Sequence, residues 1–381
     1  MISPKAFYEV LKANNVSFFT GVPDSLLKEF CAYIENISSD SSHVIAANEG
    51  SAIAIATGHH LASGDLPMVY LQNSGLGNTV NPLLSLADKE VYSIPLILLI
   101  GWRGEPGVKD EPQHIKQGRV TPNMLESMEI PYKLITKNNE DSISNVKWAA
   151  EQALKLNAPV ALLVKKGSFE KSELKMPEKN KKILGELSRE EVISIITQNI
   201  SKDSTVVSTT GMISRELYEQ RNQMNQSREN DFLTVGSMGH ASQIALGISK
   251  ANPSKKVVCI DGDGAALMHL GGMALIGTNT NGNLLHIVLN NSAHDSVGGQ
   301  PTVANEISLT SIAKGCCYKN VEGPIKEKSE IINVIKKLDI IEGMRFVEIH
   351  VNKGARADLG RPKESPRHNK EIFIAKLRSK G

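Results

Sequence analysis

Short, almost purely apolar runs alternate along the chain with longer stretches whose apolar residues recur every three or four positions. The runs at 16–20, 43–47, 68–72, 94–100 and 160–164 lack polar alternation, the pattern of strands buried on both faces of a parallel sheet. Between them, helical periodicity predicts helices over 3–14, 25–34, 51–61, 78–87 and 145–156. The second half repeats the alternation, with strands over 205–208, 257–260, 284–289 and 345–351. Its helices are expected over 189–200, from 214 onward, over 265–276 with Gly271-Gly272 weakening it, and over 327–338. Alternation of this kind predicts an α/β protein with two doubly wound parallel-sheet domains. The segment FEKSELKMPEKNKKILGELSREE is charged and poor in apolar residues. It predicts a linker over 177–187 between domains at 1–176 and 188–381.

In open α/β sheets ligands bind outside the strand C-termini, so the residues there carry the functional reading. The first strand leads into Gly21-Val22-Pro23-Asp24-Ser25, a tight turn expected to expose Asp24 at its tip, where capping the next helix is sufficient to explain an Asp. The second leads into Asn48-Glu49-Gly50, where the helix dipole alone would favour a carboxylate. After the fourth comes a Gly-, Pro- and charge-rich stretch, 101–114, expected to be a long irregular loop. Arg103, Lys109 and His114 within it, and Arg119 beyond, offer positive charge to an anion; for each one the alternative is a pair within the chain. Arg356 and Arg361, in a basic loop over 352–362, present the same two alternatives.

The clearest chemistry lies between 255 and 299. One strand ends in Gly262-Asp263-Gly264 and the next in Asn290-Asn291. Asp, Asn and a backbone carbonyl are hard oxygen donors of the kind Mg²⁺ accepts alongside phosphate oxygens. A helix starting just after Gly264 would add N–H groups for the same phosphates. The unit is suited to a metal-bridged diphosphate.

This pair of motifs resembles the fingerprint of the thiamine-diphosphate enzymes. The resemblance implies that Asp263, Asn291 and the carbonyl of Ala293 bind Mg²⁺, and that Gly211, Gly262, Gly264 and Ala265 border the cofactor. It further implies that Glu49 faces N1′ of the aminopyrimidine. Gly236 would offer its carbonyl to the 4′-amino group, and Met238 would wedge the cofactor into a V shape. Asp24 and His294 become candidates for acid–base work, and Ser296 is placed near the reacting carbon. His59 and His60 fall too early for the His-His relay of some members, and partly buried packing or interface roles are expected of them instead. With no room for a middle domain, the chain resembles the short, two-domain 2-keto acid decarboxylases. Such a protein would use thiamine diphosphate and Mg²⁺, and would complete its site between the protomers of at least a homodimer. The segments GVPDS, GWRGEPGVKDEPQH, GSMGHAS, HDSVGGQPT and GARADLGRP resemble members whose keto acid carries a phosphonate. A sulfonate in its place is the nearest alternative. A noncatalytic subunit of the same fold is disfavoured, because it has no chemical need for Glu49 or the Asp263/Asn291 pair.

Composition narrows the partners. The chain has 381 residues, enough for two full cores, with 22% charged and 40% hydrophobic residues. A net charge of +2 gives no basis for nucleic-acid binding. No apolar stretch is long enough for a membrane span and no basic, apolar leader is apparent, so a cytoplasmic protein is expected. Cys31, Cys259, Cys316 and Cys317 lack a CxxC spacing and read as reduced thiols.

Overall fold

The computed structural model describes residues 1–39, 41–171 and 184–378. Its first unit, Met1–Lys181, holds β1 (Val16–Gly21), β2 (His43–Ile45), β3 (Leu66–Gln72), β4 (Leu96–Gly101), β5 (Tyr132–Ile135) and β6 (Pro159–Val164). They form one parallel sheet in the order β2-β1-β3-β4-β6-β5. The second unit, Lys182–Gly381, holds β7 (Thr205–Ser208), β8 (Asp231–Leu233), β9 (Val257–Gly262), β10 (Leu284–Asn290), β11 (Asn320–Ile325) and β12 (Arg345–His350). Its parallel sheet runs β11-β12-β10-β9-β7-β8. Read from the β8 edge, the second order is the first repeated strand for strand.

Each apolar run divides its residues between two cores because successive strand residues point to opposite faces. Met68, Tyr70, Ile97, Leu99, Val160 and Leu162 pack with Phe7 and Leu11 of α1 (Pro4–Ala13) and with Phe30 and Ile34 of α2 (Lys28–Ile37). Val69, Leu71, Leu98, Ile100, Ala161 and Leu163 pack on the other face with Ala52, Ile53 and Ala56 of α3 (Glu49–Ser63). With both faces covered, each buried Leu or Ile contributes on the order of 2 kcal/mol, and the strand ends are left as the polar edge. The second sheet is built alike, Val258, Ile260, Leu285 and Ile287 facing one core and Val257, Cys259, Leu284 and Val288 the other.

Several boundaries differ from the expectation. The helix expected over 25–34 begins at Lys28, with Leu27 as an N-cap that makes no side-chain bond, so Asp24 does not cap it. The helix expected over 265–276 is two, α10 (Asp263–Met268) and α11 (Gly271–Asn279), broken just before the Gly pair. The first of them starts at Asp263, not after Gly264. The loop expected over 101–114 is shorter, because α5 (Pro112–Ser127) starts at Pro112. In α5, Pro122 lacks the N–H that would bond the Gly118 carbonyl, and Trp102 Nε1 donates to that carbonyl instead at 2.8 Å. β5, β8, β11, α12 (Leu309–Gly315) and α14 (Pro366–Arg378) have no counterpart in the sequence reading.

Of the linker expected over 177–187, residues 177–183 lie outside the described residues. Leu184 and Leu187 are buried, and Glu186 accepts the Lys328 N–H at 2.9 Å within the second unit. Among the described residues no helix is long and apolar enough to cross a membrane.

Candidate active site

Four neighbouring strands of the first sheet, β2, β1, β3 and β4, lead into Glu49, Asp24, Asn73 and Arg103. Glu49 is the first residue of α3, behind the N-cap Asn48, whose side chain accepts the Ser51 N–H. Its carboxylate is buried and accepts a hydrogen bond from Asn78 Nδ2 at 2.8 Å. A methyl group on Gly75 would sit 2.2 Å from Glu49 Oε1, so the chain passes this acid at a distance only glycine permits.

Asp24 is not exposed, as its turn suggested; its exposure is 0%. The Leu26 N–H donates to Oδ2 at 2.9 Å, while Oδ1 has no partner among the described residues. A methyl group on Gly101 would lie 2.0 Å from Oδ2. Burial pushes the Asp24 carboxyl up to about 6, against backbone N–H groups and the Arg103 charge that favour the anion. An acid titrating this near neutrality can both hold and release a proton at working pH.

The loop after β4 is organised by Asp110. Its carboxylate accepts from Arg103 Nε (2.8 Å) and Nη2 (2.5 Å), from the Gly104 and Glu111 N–H groups (2.8 and 2.7 Å), and from His114 Nδ1 (2.9 Å). Partial burial would raise its pKa, but Arg103, His114 and the two amides hold it far below the usual carboxylate range. For His114, burial lowers the pKa against the pull of Asp110. Arg103 Nη1 donates to Ser25 Oγ at 2.7 Å, and Asn73 fixes the Arg103 backbone from both sides. Lys109 and Arg119 are exposed. His59 stacks on Phe18 with ring centroids 4.1 Å apart, the packing role expected of it.

On the second sheet, β9 delivers Asp263 and β10 delivers Asn290 and Asn291, all buried. Burial raises the Asp263 carboxyl to about 6, against Thr302 and backbone N–H groups that favour its anion. Thr302 Oγ1 donates to Asp263 Oδ2 at 2.5 Å. Asn291 Oδ1 accepts the Ala293 N–H at 3.0 Å, and its Nδ2 donates to Asp295 at 2.6 Å. Asp295 in turn accepts from Arg189 (2.8 Å) and from the Gly354 N–H (2.9 Å), and Glu216 grips Arg189 through two bonds. Asn290 is not a free donor to a ligand, since Glu348 and Ser292 engage both ends of its amide. Arg189 and Glu216 were missed from the sequence because only the fold joins them to the motif, whereas Asp295 and Thr302 lie in the HDSVGGQPT segment just after it but were not singled out.

Gly264 lies where Met238 and His294 meet: a methyl group there would be 3.4 Å from Met238 Cε and 3.1 Å from His294 Cε1. Burial pushes the His294 imidazole down to about 4, which leaves it neutral at physiological pH. Gly236 and Met238 are half-buried at the β8 edge. Gly211, with φ of +95°, caps α8 (Met212–Gln223), and Ser296 Oγ would stand 3.8 Å from a methyl group on it. Of its two alternatives Arg356 takes the pairing within the chain: it is engaged by Glu190 (3.1 Å), Asp358 (3.0 Å) and Glu219. Arg361 is exposed on the same loop.

Two edges of one topology thus carry an acidic set and an oxygen-donor set, and both halves match one family. Residues 4–125 match the N-terminal TPP binding domain of the thiamine pyrophosphate enzymes, and residues 209–349 match their C-terminal TPP binding domain. The chain belongs to the thiamine pyrophosphate enzyme family. Within it, the chain is similar to the phosphonopyruvate decarboxylases of Streptomyces viridochromogenes and Streptomyces hygroscopicus. Each is 32% identical; the alignments cover 92% and 96% of this chain and 89% and 92% of the relatives. It is also similar to the sulfopyruvate decarboxylase of Methanosarcina acetivorans, at 27% identity over 91% of this chain and 90% of the relative.

Proposed function

We propose that the protein decarboxylates 3-phosphonopyruvate to phosphonoacetaldehyde and CO₂, a step of phosphonate biosynthesis, with thiamine diphosphate and Mg²⁺. The reading is carried by one observation: a buried Glu49 and a buried Asp263/Asn291 pair stand at the functional edges of the two TPP binding domains. The substrate is supported by the full-length similarity to two phosphonopyruvate decarboxylases. Sulfopyruvate decarboxylation is the second reading, supported by the more distant relative.

The residues fit the metal: Asp263, Asn291 and the Ala293 carbonyl are hard oxygen donors, and a divalent cation would favour the Asp263 anion that burial disfavours. Gly211, Gly262, Gly264 and Ala265 would border the diphosphate. Bound thiamine diphosphate supplies the electron sink for the pair released when CO₂ departs. Glu49 would hold the aminopyrimidine at N1′, the Gly236 carbonyl would accept from its 4′-amino group, and Met238 would pack against the cofactor. Loss of CO₂ leaves one carbon in need of a proton. Asp24, its carboxyl raised to about 6, would hold that proton, neutral His294 would pass one, and Ser296 would lie near the same carbon. Arg103, Lys109, His114, Arg119, Arg356 and Arg361 are the cations available to the substrate's second anion. We place the protein in the cytoplasm, where its four free cysteines suit a reducing compartment, as a homodimer or higher assembly with each site completed between protomers.

The test is CO₂ release by the purified protein with thiamine diphosphate and Mg²⁺, comparing phosphonopyruvate, sulfopyruvate and pyruvate at equal concentration. Preference for phosphonopyruvate is expected. Preference for sulfopyruvate would transfer the same mechanism to the second reading, and no release from any of them would defeat both.

A further inference from the structure

We propose that Arg103, clamped by Asp110 and flanked by Ser25, is the receptor for the tetrahedral oxyanion, phosphonate or sulfonate, at the far end of the 2-keto acid. The inference rests on the decarboxylase reading and deepens it.

A guanidinium has five N–H donors. Three of those on Arg103 are taken among the described residues: Nε and one on Nη2 by Asp110, and one on Nη1 by Ser25. One N–H remains on each terminal nitrogen, a fork matched to two oxygens of a tetrahedral anion. The fork is both fixed and reachable. Asp110 holds it from behind while itself satisfied by two backbone amides and His114, and the Arg103 side chain keeps 20% exposure. Ser25 adds a hydroxyl beside the fork, and Arg103 lies close enough to Asp24 for its charge to bear on that carboxyl. A binder here would therefore lie against the same strand ends that carry the candidate acid.

The other cations lack this combination. Arg356 is surrounded by Glu190, Glu219 and Asp358, so its neighbourhood repels a dianion. Lys109 and Arg119 are exposed, and neither joins the Asp110 cluster. A substrate anion held by a loosely placed cation would cost more side-chain entropy than one held by a clamped fork.

The experiment uses the full chain with thiamine diphosphate and Mg²⁺ present. The kcat/KM ratio of phosphonopyruvate to pyruvate, which lacks the tail anion, is compared in wild type, Arg103→Gln, Arg103→Lys and Ser25→Ala. Arg103→Gln is expected to lower the ratio about 100-fold, Arg103→Lys about 10-fold or more because an ammonium has no fork, and Ser25→Ala about 3- to 10-fold. An unchanged ratio, or a larger fall in Lys109→Gln or Arg119→Gln, would overturn the proposal. Binding of methylphosphonate, followed by ³¹P NMR, provides a reading independent of turnover, with at least 10-fold weakening expected in Arg103→Gln. Equal affinity in that variant, or no binding by wild type, also overturns it. If Arg103→Gln does not fold, the Lys and Ala variants decide. Wild type inert toward every keto acid, yet binding methylphosphonate through Arg103, would defeat the decarboxylase reading and keep the oxyanion site.

Discussion

The two sheet edges share one strand order but carry different side chains. On the first, β1 and β4 lead to charged side chains, a buried Asp24 whose carboxyl is pushed up to about 6 and an Arg103 clamped by Asp110. On the second, the corresponding β7 and β10 end at Gly211 and the Asn290-Asn291 pair, which place backbone and amide groups. The third strand of each sheet supplies the polar residue that ties its edge together: Asn73 after β3 holds the Arg103 backbone, and Asp263 after β9 meets Thr302. The strand scaffold therefore fixes where side chains converge, and the few residues past each strand fix what they do. This separation makes the two edges independently testable.

The largest expected effect comes from the second edge. Asp263→Ala removes a buried oxygen donor and should abolish measurable binding of Mg²⁺ with thiamine diphosphate by calorimetry, and turnover with it. Glu49→Gln, on the first edge, should retain cofactor binding within a few-fold while turnover falls about 100- to 10,000-fold. Cofactor lost in the second variant, or retained in the first, would break the division of labour.

Next is Asp24→Asn, which trades function for stability. The folded-state pKa of about 6 lies above the ordinary 3.8, so this carboxyl favours the fold fully only below about pH 4, and that contribution is lost as pH rises through 6. Asparagine does not titrate and keeps an acceptor for the Leu26 N–H. Its stability gain in denaturant unfolding should be near zero at pH 4 and rise to about 3 kcal/mol at pH 8. A gain independent of pH would refute the assignment to Asp24 ionisation.

The smallest effects sharpen the comparison at the first helix of each unit. Ser3 caps α1 through one bond to the Ala6 N–H, whereas Ser188 and Glu191 cap α7 (Arg189–Asn199) reciprocally. Ser3→Ala should cost about 1 kcal/mol, and Ser188→Ala somewhat more, in the same unfolding measurement.

Much of this was legible in the chain. The apolar runs marked the central strands because burial on both faces leaves no polar alternation to confuse them. Gly262-Asp263-Gly264 and Asn290-Asn291 were legible because the turn residues and donors are contiguous in sequence. What stayed hidden depended on distant partners. Asp24 reads as a surface turn residue until Gly101, on another strand, makes room for it. The helix α5 was obscured by Gly118 and Pro122, whose cost is offset by a tryptophan outside the helix. Asp110 looked like one charge among several in a loop, and only the fold aims five donors at it. Arg356 was ambiguous for the converse reason, since its carboxylate partners Glu190 and Glu219 come from α7 and α8.

The close approach of Gly75 to Glu49, and of Gly101 to Asp24, constrains how this sequence can drift. Neither glycine carries a reactive group, yet each should be as intolerant of substitution as the acid it faces. The dependence runs one way. While the acid keeps its length the glycine is fixed, but once the acid is shortened to alanine the atoms nearest a methyl group at the glycine are gone, and at Gly101 the next neighbour, Leu26 Cβ, stands 3.4 Å away. The two positions of each pair are therefore epistatic, and a lineage that abandoned the chemistry would be free to lose both glycines afterwards.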